Sequence, residues 1–90
     1  MNPKYVIIQM NEYDTEVKIC SAVENHCDQV PFHLRENVIA AGEFQLGINV
    51  EDGQVGVACF GKSTTLGKES RGAEDERLIR QMLRLGEFAG

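Results

Sequence analysis

Apolar residues recur with a period of two through most of the chain and switch to a helical period near its end. Phe44, Leu46, Ile48 and Val50 alternate with Glu43, Gln45, Gly47 and Asn49. Successive side chains of a strand point to opposite faces, so this pattern predicts a strand with one buried face. Asp52-Gly53 follows and supplies the positive φ of a tight turn. Val55, Val57 and Cys59 then return on one face, with Gly56, Ala58 and Phe60 on the other, which completes a hairpin. Gly61 is placed to bulge this strand, with a continuation expected through Lys62 to Leu66. Upstream, Lys4 to Met10 is rich in β-branched and aromatic residues. Thr15 to Ala22 sets Val17 and Ile19 against Glu16 and Lys18, and the polar Asn11-Glu12-Tyr13-Asp14 between the two runs suits a hairpin turn.

Two segments read differently. Residues 24–32 are polar and end in Val30-Pro31, a loop whose Val30 is held extended by the proline that follows. Over 33–41, Leu34, Val38 and Ala41 have helical spacing and Gly42 would cap the end, although Val38-Ile39 would also suit the start of a strand. The expectation here is a short helix. From Ser70 onward the period is 3.6: Leu78, Ile79, Met82 and Leu83 form an apolar stripe with Leu85 at its edge and Gly86 ending it. Ser70 is the expected cap. Glu74, Asp75 and Glu76 complement the positive end of the helix, Arg77, Arg80 and Arg84 the negative end, and Glu76 and Arg80 stand as an i,i+4 pair. The stripe must be buried against the sheet or a second chain. The order β-β-(short α)-β-β-α predicts a single α+β domain over residues 1–90, an antiparallel sheet of about four strands with the C-terminal helix on one face.

Composition narrows the function more by exclusion than by indication. Ninety residues make one small domain, of a size that often completes its core by pairing with a copy of itself. A homo-oligomer, most simply a dimer, is therefore expected. Residues 1–60 carry three lysines and arginines against nine acids, and residues 61–90 carry six against five. A nucleic-acid surface needs a basic field to displace counterions, so that class is disfavoured, whereas a basic protein partner would suit the acidity. No apolar run approaches the ~20 residues of a membrane span. Three cysteines, Cys20, Cys27 and Cys59, have no framework spacing, which argues against structural disulfides and makes the cytoplasm the expected compartment.

Several motifs invite chemistry, each with a plainer competitor. Gly56 to Ser63 formally fits G-x-x-x-x-G-K-[ST], but a phosphate loop needs a flexible turn entered from a strand and leaving into a helix. Here the variable positions, Val-Ala-Cys-Phe, are themselves strand-forming, and Ser63-Thr64-Thr65-Leu66-Gly67 is a poor helix. Cys20, His26, Cys27 and His33 are ligand types for zinc, yet no pair has the spacing that fixes two ligands in one turn. Cys27 with His33 would be the only candidate nucleophile and base, and no third residue orients them. Glu12, Asp14 and Glu16 lack the spacing of a calcium loop and read as solvated turn residues. No catalytic residue, metal ligand or cofactor is therefore assigned.

Lys62, Ser63, Thr64, Thr65, Lys68, Ser70 and Arg71 run into the helix and combine hydroxyls, cations and a helix N-terminus. Within them Lys62, Ser63, Thr64, Lys68 and Arg71 form the candidate anion or small-molecule site, the plain alternative being a polar connector with an ordinary cap. The arginine stripe 77, 80 and 84 is either a docking ridge or a solvated helix face. By elimination the function expected is that of a non-enzymatic interaction or accessory protein, such as a regulator or inhibitor. An anion-binding domain is the first alternative and a cysteine-based or metal-dependent enzyme the second.

Overall fold

The computed structural model describes residues 2–23, 30–48 and 50–83. Four strands, β1 (Lys4–Gln9), β2 (Thr15–Cys20), β3 (Val38–Ile48) and β4 (Val55–Phe60), form one antiparallel sheet in the order β2-β1-β3-β4. Two two-residue strands, β5 (Lys62–Ser63) and β6 (Lys68–Glu69), pair as a separate small hairpin. Helix α1 (Ala73–Leu83) follows. The α+β architecture expected from the period-two and period-3.6 segments is thus present.

β1 is central and buries both of its faces, because each meets apolar partners. Tyr5 and Ile7 point to one side, where they meet Ala40, Phe44 and Ile79 of α1, with the Tyr5 and Phe44 rings edge to face at 6.3 Å. Val6 and Ile8 point to the other, where Val30, Val38 and Ala41 join them and Leu34 and Leu66 pack alongside. The sheet is therefore covered by α1 on one face and in part by the connections on the other. Each fully buried Ile or Val contributes roughly 1.5–3 kcal/mol over its exposed state.

The first hairpin turn is held by Asn11, whose Oδ1 accepts the N–H groups of Tyr13 (2.8 Å) and Asp14 (3.0 Å). This is the local side-chain turn that asparagine favours. At the second, Gly53 takes φ +70°, and the N–H of Gln54 donates to Asp52 Oδ1 at 2.9 Å.

The short helix expected in the middle connection is present, but it does not reach residue 41. A 3-10 helix covers Phe32–Asn37, and Val38 already opens β3. Leu34, Val38 and Ala41 share the core on the far face of β1, but from two elements instead of one helix face. Gly42 caps no helix. It lies inside β3 opposite Tyr5, where a Cβ would stand 2.5 Å from the Phe60 carbonyl oxygen and 3.2 Å from Ser70 Cβ. The strand won because Val38 and Ala41 bury completely beside β1, while a slip between Ile7 and Ile8 lets Ile39 bulge out of register. Downstream, β4 does not continue to Leu66. Gly61 takes φ +79° and breaks it, and the chain turns back through Gly67 at φ +65°. Leu85, Gly86 and Arg84, expected at the helix end, lie outside the described residues, as do His26 and Cys27.

Candidate functional site

Where β6 runs into α1, a polar cluster ties the two ends of the described chain together. Asp75 occupies the first turn of α1, one turn before Ile79 on the same helix face, so the packing that buries Ile79 buries the carboxylate as well. A buried charge requires partners. Arg71 supplies two, its backbone N–H to Oδ2 and its Nε to Oδ1, both at 2.8 Å. The third comes from Tyr5 on β1, whose hydroxyl donates to Oδ2 at 2.5 Å. Tyr5 Oη also lies 2.8 Å from Ser70 Oγ, which accepts the N–H of Gly72 at 3.1 Å. With the single phenolic proton committed to the carboxylate, the Ser70 hydroxyl is left to donate to the phenol oxygen. Ser70 thus holds the turn into α1 but does not cap the helix itself, whose first bond runs from the Glu76 N–H to the Gly72 carbonyl, and Asp75 closes that turn through the Arg71 N–H.

Burial, and then the facing Asp75 carboxylate, hold the Tyr5 phenol well above its ordinary range, while the Ser70 bond pulls the other way. The Cys59 thiol is pushed up to about 11, chiefly by burial and also by the acids Asp75 and Glu76, against a lowering contact from Tyr5. A thiol in that state is a poor nucleophile at neutral pH. Among the described residues no buried side-chain oxygen or nitrogen lacks a partner, so the cluster is closed on itself.

The candidate anion residues do converge. Lys62, Ser63, Thr64, Lys68 and Arg71 line one open depression of about 650 Å³ together with Ile39, Gly67, Glu69 and Ser70. Their roles diverge. Arg71 is committed to Asp75 and, through Nη1 at 3.2 Å, to Glu74. The buried Ser63 hydroxyl accepts the Leu66 N–H at 3.3 Å and pairs with Thr65 Oγ1 at 3.2 Å, which shapes the β5–β6 turn. Lys62 and Lys68 are exposed, and no carboxylate of the described residues pairs with them.

The formal phosphate-loop segment is different in kind: Gly56 to Phe60 is extended within β4 and Lys62–Ser63 within β5, so no loop wraps and no helix starts there. His33 is exposed on the 3-10 helix and Cys20 buried on β2, with no grouping of metal-ligand side chains among the described residues.

The two sheet edges are treated unequally. Glu76 and Arg80, expected to pair with each other, reach instead to β4: Glu76 Oε1 accepts the Cys59 N–H at 3.1 Å and Arg80 Nη1 donates to the Val55 carbonyl. Since Val55 and Cys59 present these groups away from β3, one turn of α1 takes two of the outer-edge groups of an uncharged strand, Val-Gly-Val-Ala-Cys-Phe. On the opposite edge, no hydrogen bond among the described residues reaches the backbone of Thr15–Ile19 from anything but β1. Its charges, Glu16 and Lys18, pair with each other at 3.2 Å.

The stripe on α1 is mostly core, with Ile79 buried and Leu78 and Leu83 packed against the same cluster, whereas Met82 is 41% exposed. Larger apolar exposure lies at the far end of the β3–β4 hairpin. There Leu46, Ile48 and Val50 stand 48%, 73% and 98% exposed, beside an open depression that Leu46, Ile48 and Val57 help to line. Alternation alone assigned these three to a buried face, but among the described residues the burial along β3 ends at Phe44. No protein-family model, curated protein or solved structure matches the chain. Among the described residues no helix is long and apolar enough to cross a membrane.

Proposed function

We propose that the protein is a non-enzymatic interaction module that works as a homo-oligomer and engages a protein partner through the outer end of the β3–β4 hairpin. The observation that carries this reading is the contrast between chemistry and exposure. The groups that would be catalytic currency, buried Asp75 and Tyr5 and half-buried Arg71 and Cys59, are engaged with one another or held protonated. Leu46, Ile48 and Val50, which contribute little to the core, face outward. Asp52 sits exposed at the same tip, so the matching surface is apolar and flanked by lysine or arginine. The free thiol of Cys59 fits a reducing compartment such as the cytoplasm.

The test begins with light scattering of the whole chain from micromolar to submillimolar concentration. A mass that is an integral multiple of the chain's supports the assembly; a monomer throughout removes it. Affinity purification then compares wild type with Ile48→Asp. The hairpin reading stands if a protein with a basic contact surface is retained by wild type and lost from a variant that melts normally. Equal retention by both sinks it.

A second reading has its own support. The depression at 62–71, with Lys62 and Lys68 paired to no carboxylate among the described residues, suits a small anion. Inorganic phosphate should then raise the melting temperature, and Lys62→Ala with Lys68→Ala should abolish the rise. No rise in wild type ends that reading.

A further inference from the structure

We propose that the copies associate through β2, pairing antiparallel about a two-fold axis at Val17, so that two four-stranded sheets become one of eight strands. This rests on the homo-oligomer of the preceding reading and names its interface. Of the two edges of the sheet, β4 has two of its outward backbone groups taken by Glu76 and Arg80 from α1, while among the described residues the backbone of β2 from Thr15 to Ile19 is bonded only to β1. β2 contains no proline, and its register with β1 is unbroken over six residues, so its outer row of N–H and C=O groups is straight enough to receive another strand.

The occupant is argued from charge and parity. Opposite Ile7, Val17 points to the helix side of the sheet; opposite Ile8 and Val6, Glu16 and Lys18 point to the other. A two-fold axis normal to the sheet preserves faces, so a residue opposes only a residue of its own parity in the second copy. Three central registers satisfy this. Centred on Val17, Glu16 of each copy faces Lys18 of the other, Val17 faces its own equivalent, and Thr15 faces Ile19. Centred on Glu16, Glu16 faces Glu16; centred on Lys18, Lys18 faces Lys18. Like charges directly opposite destabilise a pair, and opposite charges favour it. One register is thus selected, and the two neighbouring ones are penalised. The existing Glu16–Lys18 pair, 3.2 Å apart and half exposed, would extend into a ring of four alternating charges. Ile19, exposed in the single chain, would gain cover from Thr15 of the second copy.

The experiment is sedimentation velocity of the full chain over a concentration series, with wild type, Glu16→Lys, Lys18→Glu and the double exchange. Both positions are solvent-accessible, and urea unfolding of each variant reports any cost to the fold separately. The wild type is expected to dimerise. Each single exchange should raise the dimer dissociation constant about tenfold, because two symmetric contacts turn from attractive to repulsive. The double exchange, which restores opposite charges in the same register, should recover wild-type affinity. A dimer indifferent to both single exchanges, or one that the double exchange weakens as much as the singles do, overturns the β2 interface and leaves the homo-oligomer standing. A wild type that is monomeric at every concentration overturns both.

Discussion

Tyr5→Phe is the sharpest probe of what holds α1 to the sheet. The change removes one oxygen and leaves the ring, so the packing against Phe44 and Ile79 is kept. What goes is the hydrogen bond to Asp75 Oδ2 and the contact with Ser70 Oγ. A hydrogen bond to a charged group is worth about 1.5–3 kcal/mol net. The lower half of that range applies here, because Asp75 keeps two bonds from Arg71 and phenylalanine avoids the cost of burying a hydroxyl. The expected loss is about 2 kcal/mol, or roughly 10 °C in Tm for a domain of this size. Urea unfolding at pH 7, followed by circular dichroism, reads it directly. A double-mutant cycle with Asp75→Asn isolates the pair, and its coupling should exceed ~1 kcal/mol. A loss under ~0.5 kcal/mol with no coupling would refute the claim that this contact, and not apolar packing alone, seats the helix.

Other expectations follow from single features. Gly42→Ala places a methyl group against the Phe60 carbonyl and should cost about 1–3 kcal/mol in the same assay; an unchanged midpoint would mean that the strands part more easily than their geometry indicates. Arg80→Ala frees the Val55 carbonyl, with a cost of about 1 kcal/mol and faster amide exchange along β4 than in wild type. Stability should fall as pH rises from 9 toward 11. The unfolded chain then releases the Cys59 proton at the ordinary 9.0 while the folded thiol holds its own to about 11, so the folded state binds more protons there; Tyr5 adds to the fall from pH 10 upward. Urea midpoints against pH should flatten in Cys59→Ala, and a wild-type curve level across that window would contradict the burial of the thiol.

Much of this architecture is legible in the residue pattern because the sheet hairpins are local. The Asn11–Asp14 turn and the Asp52-Gly53 turn each carry their own side-chain chemistry; β2, β4 and the second half of β3 alternate, and β1 reads as a continuous apolar and β-branched run. Residues 33–41 are harder because their apolar spacing satisfies a helix and a strand equally. What decided for the strand was a distant neighbour, β1, which no local window contains. The Tyr5–Asp75 contact was hidden for a related reason. Asp75 looks like one of three acids favouring the helix N-terminus, and only its i,i+4 relation to Ile79 signals that it turns inward. The same limit applies to Glu76 and Arg80, whose spacing suits a surface pair until the edge of β4 lies within their reach. The cations at 62–71 were readable as a group. The consumption of Arg71 by Asp75 and Glu74 was not, because it depends on the angle at which the helix enters.

The 70-residue separation between Tyr5 and Asp75 has a bearing on how the chain is made as well as on how it stands. Bringing together two points that far apart in a flexible chain costs about 4 kcal/mol of closure entropy beyond a constant, so this contact forms late. During synthesis β1 emerges before its neighbour β3, which follows some thirty residues later, yet Ile79 and Asp75 leave the ribosome only after β1 to β6 have done so. Until then the helix-side face of the central strand, Tyr5 and Ile7, is bare. A nascent sheet with a bare apolar face is the species most exposed to mispairing, and it persists for seconds at ordinary elongation rates. Codons that slow translation within 50–75 would lengthen the interval for which Tyr5 and Ile7 stand bare.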